Sequence, residues 1–399
     1  MNFSVTFLTS SVRMFASPYR PVNGVHWSKI RVTRYSDLGV RRVINAAATL
    51  TRLGGSLMPG IVLDAMRDGA DSFVDLPELQ RRVGERIAQL TGNEACYVSS
   101  GAAAGMTISI AAYIAGCDPE RIHQLPHLTP QPEVIVHTSQ RNGYDQAAFQ
   151  TGACVVEIGD SLTTELRDLE SAISARTVCV LYFAGAHYAP GALPLQDVVA
   201  AAHARNVPVI VDAAAQIPPI ASLWHFTRDL HADVAIFSGG KGLRGPQSSG
   251  LVFGPRSLVE ACIANGPPNH SLGRPMKVGK EELLGVLAAV EWSLEQDEAA
   301  LLAAYEAIVD RFLAGLRLVP GVTVERGYPS EAGQPHSRAI VRLGPGARLS
   351  CDALVAALWD MDPRIAVSKV SGDGIALNPQ TLEPGEDQQV LAALQGLLR

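Results

Sequence analysis

Two short apolar runs constrain this chain more than any other feature. Val209-Ile210-Val211 ends in Asp212, and Val234-Ala235-Ile236-Phe237 ends in the turn Ser238-Gly239-Gly240-Lys241. Runs of β-branched and aromatic residues this short read as buried strands. Each strand therefore carries an ionisable residue at or just beyond its end, the acid first and the lysine second. Similar apolar runs occur at 95–98, 134–136, 154–157 and 178–181, with Ala- and Leu-rich helical segments between several of them. This alternation predicts a mostly parallel sheet covered on both faces, in an α/β fold.

A lysine on a Gly-rich turn at the end of a buried strand can be desolvated, which lowers its pKa and makes it a nucleophile toward an aldehyde. An acid at a neighbouring strand end suits a protonated pyridine nitrogen. Taken alone, Lys241 also reads as a solvated loop residue, and Asp212 as a helix N-cap. A third segment joins them. Ser99-Ser100-Gly101-Ala102-Ala103 follows the 95–98 strand and opens a helix of small residues running to 115. Free N–H groups and the positive end of a helix make an anion site there, and small residues let a phosphate approach the backbone. The same residues also suit close helix–sheet packing. Ser238 adds a hydroxyl beside Lys241. Anion loop, acid and lysine together point to pyridoxal phosphate (PLP) held as a Schiff base.

The motifs Ser-Gly-Ala-Ala at 100–103, Val-Asp-Ala-Ala at 211–214 and Phe-Ser-Gly-Gly-Lys-Gly-Leu-Arg-Gly-Pro-Gln at 237–247 resemble the fold-type I PLP-dependent enzymes. Within these the chain is similar to the bacterial selenocysteine synthase group (L-seryl-tRNA selenium transferase) and D-glucosaminate-6-phosphate ammonia-lyase. Leu377-Asn378-Pro379-Gln380-Thr381-Leu382-Glu383-Pro384-Gly385-Glu386 resembles that group too, so the likeness extends over residues 35–399. It implies a three-layer αβα large domain with a mostly parallel sheet, plus a smaller C-terminal α/β domain. The divisions expected are an N-terminal arm at 1–40, a PLP-binding domain at 41–285 and a small domain with its linking helix at 286–399.

The resemblance also implies roles. Lys241 is the Schiff-base lysine and proton shuttle, and Asp212 pairs with the pyridinium nitrogen. Ser100, Gly101, Ala102 and Ser238 hold the phosphate. Relatives place a histidine against the ring face where this chain has Gln140; Arg141, Asn142 and Tyr144 are nearby alternatives. Gln216 is a candidate for the cofactor oxygen. Arg274 and Lys277 correspond to a basic pair that faces an anionic ligand, on the substrate or on a neighbouring subunit. Arg52 and Arg338 are carboxylate candidates because a guanidinium grips a carboxylate with two parallel bonds. His187 reads either as an acid for a leaving group or as a loop histidine.

PLP supplies carbanion stabilisation, and the protein selects the bond that breaks. The expected reaction is α,β-elimination on a small polar or anionic amino acid. Racemisation and transamination are the alternatives. Transfer to seryl-tRNA is disfavoured, because those synthases carry an N-terminal tRNA-gripping domain and only about forty residues precede the resemblance here. The chain has 399 residues, 47% hydrophobic and 18% charged, with a formal net charge of -6 and no Lys/Arg run. This composition is ample for two domains and disfavours a nucleic-acid partner. Six cysteines without C-x-x-C spacing argue against a metal site or a disulfide framework and suit a reducing cytosol. No apolar run reaches the length of a membrane span. The first 36 residues hold no acid and five basic residues, Arg13, Arg20, Lys29, Arg31 and Arg34, which reads as a disordered or partner-clasping arm, or as a start upstream of Met14. The expected assembly is a homodimer or a higher homo-oligomer.

Overall fold

The computed structural model describes residues 33–399, so residues 1–32, which hold most of the expected arm, lie outside the described residues. Residues 33–42 belong to an N-terminal unit and contain one 3-10 turn, Tyr35–Leu38, in which the Arg34 N–H donates to Asp37 Oδ2 at 2.8 Å. The second unit, Val43–Arg399, carries the strands. These are β1 (Val43–Ala46), β2 (Ala95–Ser99), β3 (Glu133–His137), β4 (Cys154–Ile158), β5 (Thr177–Phe183), β6 (Val209–Asp212), β7 (Val234–Ser238), β8 (Gly250–Gly254), β9 (Val322–Gly327), β10 (Arg338–Leu343), β11 (Arg364–Val370) and β12 (Gly374–Leu377).

They form two sheets. The larger has the order β2-β8-β7-β6-β5-β3-β4, parallel throughout except for β8, which runs antiparallel to both β7 and β2. Its side chains alternate between two cores. Val98, Ile135, Val180, Val211 and Phe237 point to one face, and Tyr97, Val136, Leu181, Ile210 and Ile236 to the other. Both faces are buried, which is why these strands read as continuous apolar runs rather than as alternating ones. The helices Leu76–Thr91 and Lys280–Leu294 cover the first face, and Ala102–Ala115 with Arg256–Asn265 the second.

The smaller sheet has the order β1-β11-β12-β10-β9. Ile44, Ala339, Val341, Val367 and Leu377 pack against the helices Glu298–Leu316, Cys351–Asp360 and Glu386–Leu398. β1, the first strand among the described residues, thus pairs in parallel with β11, Val43 opposite Arg364, more than three hundred residues away. β9 carries no apolar run that marks it in the sequence. It is an edge strand with Thr323, Glu325 and Arg326 exposed, so only one side needs to be apolar. Two helices, Lys280–Leu294 and Glu298–Leu316, link the two sheets in sequence. The first ends at Leu294, and Asp297 caps the second, accepting the Ala300 N–H at 3.0 Å.

Small residues set the spacing between layers. A Cβ on Gly84, within the Leu76–Thr91 helix, would lie 2.1 Å from the backbone oxygen of Cys96 in β2. Gly84→Ala should therefore destabilise the protein, although alanine gains about 1 kcal/mol in helix propensity. The overpacking cost of roughly 1–3 kcal/mol outweighs that gain. The check is a thermal melt, with a Tm lower by about 2 °C or more.

Candidate active site

The parallel register places the C-terminal ends of β5, β6 and β7 side by side, with Phe183 opposite Asp212 and Asp212 opposite Ile236. Open α/β sheets form their sites beyond these ends. A cavity of about 390 Å³ lies there, and Ser100, Gly101, Ala102, Asp212, Ser238 and Lys241 all line it.

Asp212 is 8% exposed, and its Oδ1 accepts the Ala214 N–H at 3.0 Å. Burial pushes its carboxyl above the ordinary carboxylate range, while the Ala214 N–H and the Lys241 ammonium oppose the shift. Burial pulls the Lys241 ammonium below the ordinary lysine range, opposed by the charge of Asp212. Desolvation dominates at both residues, so both charged forms are costly. The lysine turn is tied to the loop before the first helix, because Ser56 Oγ donates to the backbone oxygens of Gly240, at 3.0 Å, and Lys241, at 2.8 Å.

Gly101 caps the Ala102–Ala115 helix with φ +125°, a backbone conformation that side chains disfavour. A Cβ on Gly250 of β8 would lie 2.6 Å from the Gly101 carbonyl carbon, so a glycine there lets the strand pass directly beneath the loop. The first N–H groups of the helix have no intrahelical acceptor, and residues 100–103 line the cavity. Thr49, Thr51, Ser100 and Ser238 bring hydroxyl-bearing side chains to the same walls. Lys241 is the one Lys or Arg among the described residues lining the cavity.

His187 lines the cavity at its exposed rim. Its Nδ1 lies 2.9 Å from the Glu331 backbone oxygen. A carbonyl only accepts, so Nδ1 carries the proton, and Nε2 of the neutral ring keeps its lone pair. Gln216 also lines the cavity, but its Nε2 donates to Ala184 O at 3.2 Å and Ala332 O at 2.8 Å. Its amide protons are therefore committed to the backbone.

Five of the expected residues do not line this cavity. Gln140 is fully buried outside the cavity lining; its Nε2 donates to Phe183 O at 3.3 Å and its Oε1 accepts Phe183 N–H at 3.0 Å, tying the 3-10 turn Thr138–Gln140 after β3 to β5. Arg52 is exposed and sits over the Trp359 ring at 5.7 Å, outside the cavity lining. Arg274 and Lys277 are exposed and do not line the cavity of their own chain. Arg338, also absent from the lining, pairs through Nη1 with Glu331 Oε2 at 3.2 Å.

Tyr188 and Tyr144 both line the cavity, and Tyr188 packs on His187 with ring centroids 3.9 Å apart. Burial, followed by the charge of Asp212, pushes the Tyr188 phenol up. Tyr144 lay in the segment that resemblance marks. Tyr188 had only its place beside His187 as a signal. Ala332, on the loop between β9 and β10, completes the wall and carries no sequence signal.

The Aminotransferase class-V family matches residues 123–276. The 5'-C-glycyluridine monooxygenase-decarboxylase of a Streptomyces species is 33% identical over 376 residues, covering 91% of this chain and 92% of that protein. The D-glucosaminate-6-phosphate ammonia lyase of Salmonella typhimurium is 33% identical over 270 residues, covering 64% of this chain and 69% of that protein. A solved D-glucosaminate-6-phosphate ammonia-lyase structure superposes with a TM-score of 0.79 at 29% identity, covering 92% of this chain and 98% of the other. The fold and the relatives define a PLP-dependent enzyme of fold type I. The chain belongs to the aminotransferase class V family, in the group that includes D-glucosaminate-6-phosphate ammonia lyase, and its cofactor is PLP.

Just outside the cavity, His137 ends β3 fully buried, with neither ring nitrogen partnered and its ring edge-on to Tyr182 at 5.7 Å. Burial pulls its pKa from 6.5 to about 4. The unfolded chain then binds the extra proton between these values, so stability falls as pH drops below 6.5. The loss should reach about 2 kcal/mol by pH 5. Melting curves at pH 7.5 and 5 should show this drop in the wild type and a smaller one in His137→Phe.

Proposed function

We propose that this enzyme catalyses α,β-elimination, converting a small polar or anionic amino acid with a β-hydroxyl into a 2-oxo acid and ammonium. The observation that carries this reading is the joint burial of Lys241 and Asp212 in a cavity whose wall is a helix N-terminus. The donor set fits PLP. Lys241 offers an amine with a loosely held proton, and Asp212 a buried carboxylate for the pyridine nitrogen. The N–H groups at residues 100–103 and the hydroxyls of Ser100 and Ser238 offer neutral donors to the phosphate.

When bound, PLP supplies the electron sink that lets the substrate's Cα–H bond ionise. Lys241 Nζ, whose charged form burial disfavours, would take that proton. Asp212, buried and oriented by the Ala214 N–H, would offer its carboxylate to the pyridine nitrogen. His187 is fixed through Nδ1–H on Glu331 O, so as the acid for the departing β-hydroxyl it acts in its doubly protonated form, giving up the Nε2 proton. The hydroxyl leaves as water and one water is taken up in forming the oxo acid, so the reaction needs no oxidant. Tyr188 and Tyr144 replace Gln140 as the candidates for the ring-facing position.

A second reading, decarboxylation on the same machinery, draws support from the relative named a monooxygenase-decarboxylase, which aligns over 92% of its length. Racemisation and transamination use the same proton step. No helix among the described residues is long and apolar enough to cross a membrane. A cytosolic homodimer completes the proposal, with the exposed Arg274 and Lys277 bringing positive charge to the neighbouring copy's site.

Three measurements test these statements. The purified protein should absorb at the violet edge of the visible, and borohydride should fix the label on Lys241; a protein that stays colourless with added PLP overturns the assignment. A panel of hydroxylated amino acids and amino-sugar acids should release 2-oxo acid and ammonium, with Lys241→Ala inactive and Asp212→Asn slower by about 100-fold or more. Carbon dioxide or inverted stereochemistry without ammonium would move the assignment to decarboxylation or racemisation. Sedimentation should give a dimer or larger, and an active monomer would remove Arg274 and Lys277 from any shared site.

A further inference from the structure

Lys241 is aimed by its backbone, because its Nζ makes no hydrogen bond within the protein among the described residues. Two rigid peptide planes flank its Cα, and their carbonyls are Gly240 O and Lys241 O. Ser56 Oγ reaches both, at 3.0 Å and 2.8 Å. Holding the two planes fixes the two soft dihedrals of Lys241 and, with them, the direction of its Cα–Cβ bond. Lys241 O also accepts the Arg244 N–H at 3.0 Å, but among the described residues Ser56 Oγ is the one donor to Gly240 O. A hydroxyl has one proton, so Ser56 shares it between the two carbonyls.

Ser56 comes from outside the larger sheet. It lies on the loop that follows β1 of the smaller sheet, and this loop is laid along the lysine turn. Gln247 Nε2 donates to Thr51 O at 2.9 Å, and Arg244 Nε donates to Leu57 O at 2.7 Å. A Cβ on Gly55 would collide with Gly240 O, and Gly55 takes φ +75°, so the approach of Ser56 to the turn needs a glycine before it. The loop is itself anchored. The Gly55 N–H donates to Leu50 O at 3.1 Å, and Thr381 Oγ1 donates to Asn45 O of β1 at 2.8 Å. Thr49, Thr51 and Gly55 of this loop line the cavity together with Lys241.

We infer that Ser56 is a positioning residue for Lys241: by holding the carbonyls on both sides of its Cα, it aims Nζ at the cofactor aldehyde and favours the bond between them. This rests on the proposed bond of Lys241 to PLP and deepens it by naming a residue that sets the strength of that bond. Ser56 does not line the cavity and acts through the lysine backbone. A lysine side chain has many rotamers, and a backbone left loose adds further directions in which Nζ misses the aldehyde.

The test is a competition between Lys241 and methylamine for the bound cofactor. The PLP-loaded enzyme is titrated with methylamine and reduced with borohydride, and the reduced cofactor is counted on Lys241 and on methylamine in the same sample. The midpoint reads the advantage of the lysine over a free amine, whatever reaction the enzyme performs. It is counted per PLP, so a variant that holds less cofactor still reports. Ser56→Ala should lower the midpoint about 3- to 10-fold, the worth of one hydrogen bond. Ser56→Cys, with a weak S–H donor, should lower it too. Ser56→Thr keeps the hydroxyl and should stay within about 2-fold of the wild type. A wild type that takes no label at Lys241 overturns both this inference and the lysine assignment. A labelled wild type with an unchanged midpoint in Ser56→Ala and Ser56→Cys overturns this inference alone, and so does a Ser56→Thr midpoint as low as that of Ser56→Ala.

Discussion

The placing of two opposite charges where water is scarce governs this site. Asp212 and Lys241 stand at the ends of adjacent strands of a sheet whose two faces are both covered. Burial opposes ionisation of each, and each partly offsets that cost for the other. Such a pair survives only if its surroundings are fixed. The Ala214 N–H holds the carboxylate, and Ser56 and the glycine turn hold the lysine's backbone. A lysine that held its proton tightly would be neither a nucleophile nor a base, so the desolvation that costs stability supplies the reactivity.

No arginine lines the cavity among the described residues. Its wall offers helix N–H groups, hydroxyls and one lysine, while the nearby guanidinium groups are engaged elsewhere. Arg52 lies on Trp359, Arg338 on Glu331, and Arg244 donates to Leu57 O at 2.7 Å and to Glu383 Oε1 at 2.8 Å. Neutral dipoles can hold a phosphate in a buried site without adding a full charge that must itself be desolvated. The smaller sheet reaches the site through two loops, one after β1 and one between β9 and β10, so anything that shifts this sheet shifts Ser56 and Ala332 together.

Local patterns made the central residues legible in the sequence. A strand buried on both faces must be an apolar run, and its C-terminal end in a parallel sheet must face the site. Asp212, Ser238 and Lys241 could therefore be placed by reading forward from each run. Gly101 and its neighbours were legible for a similar reason, since a strand followed at once by a helix of small residues admits few geometries. The resemblance then supplied the cofactor, which periodicity does not name.

Side-chain direction and pairing across the fold came only from tertiary structure. Gln140 sits in the expected segment, yet its amide is satisfied by Phe183 from another strand, so it turns inward and away from the cavity. Arg338 opens β10, and Glu331, itself held by Asn378, decides what its guanidinium meets. Tyr188 and Ala332 enter the wall because loops from both sheets converge there. β1 joins a strand from the far end of the chain because its apolar face is needed in the smaller core. Sequence alone determined the fold class, the strands of the larger sheet and the acid–lysine pair, because each follows from a short-range period or a strand end. Tertiary structure decided which cations, amides and rings face the cavity, because a long polar side chain takes the partner that satisfies it, and that partner is usually remote in the chain.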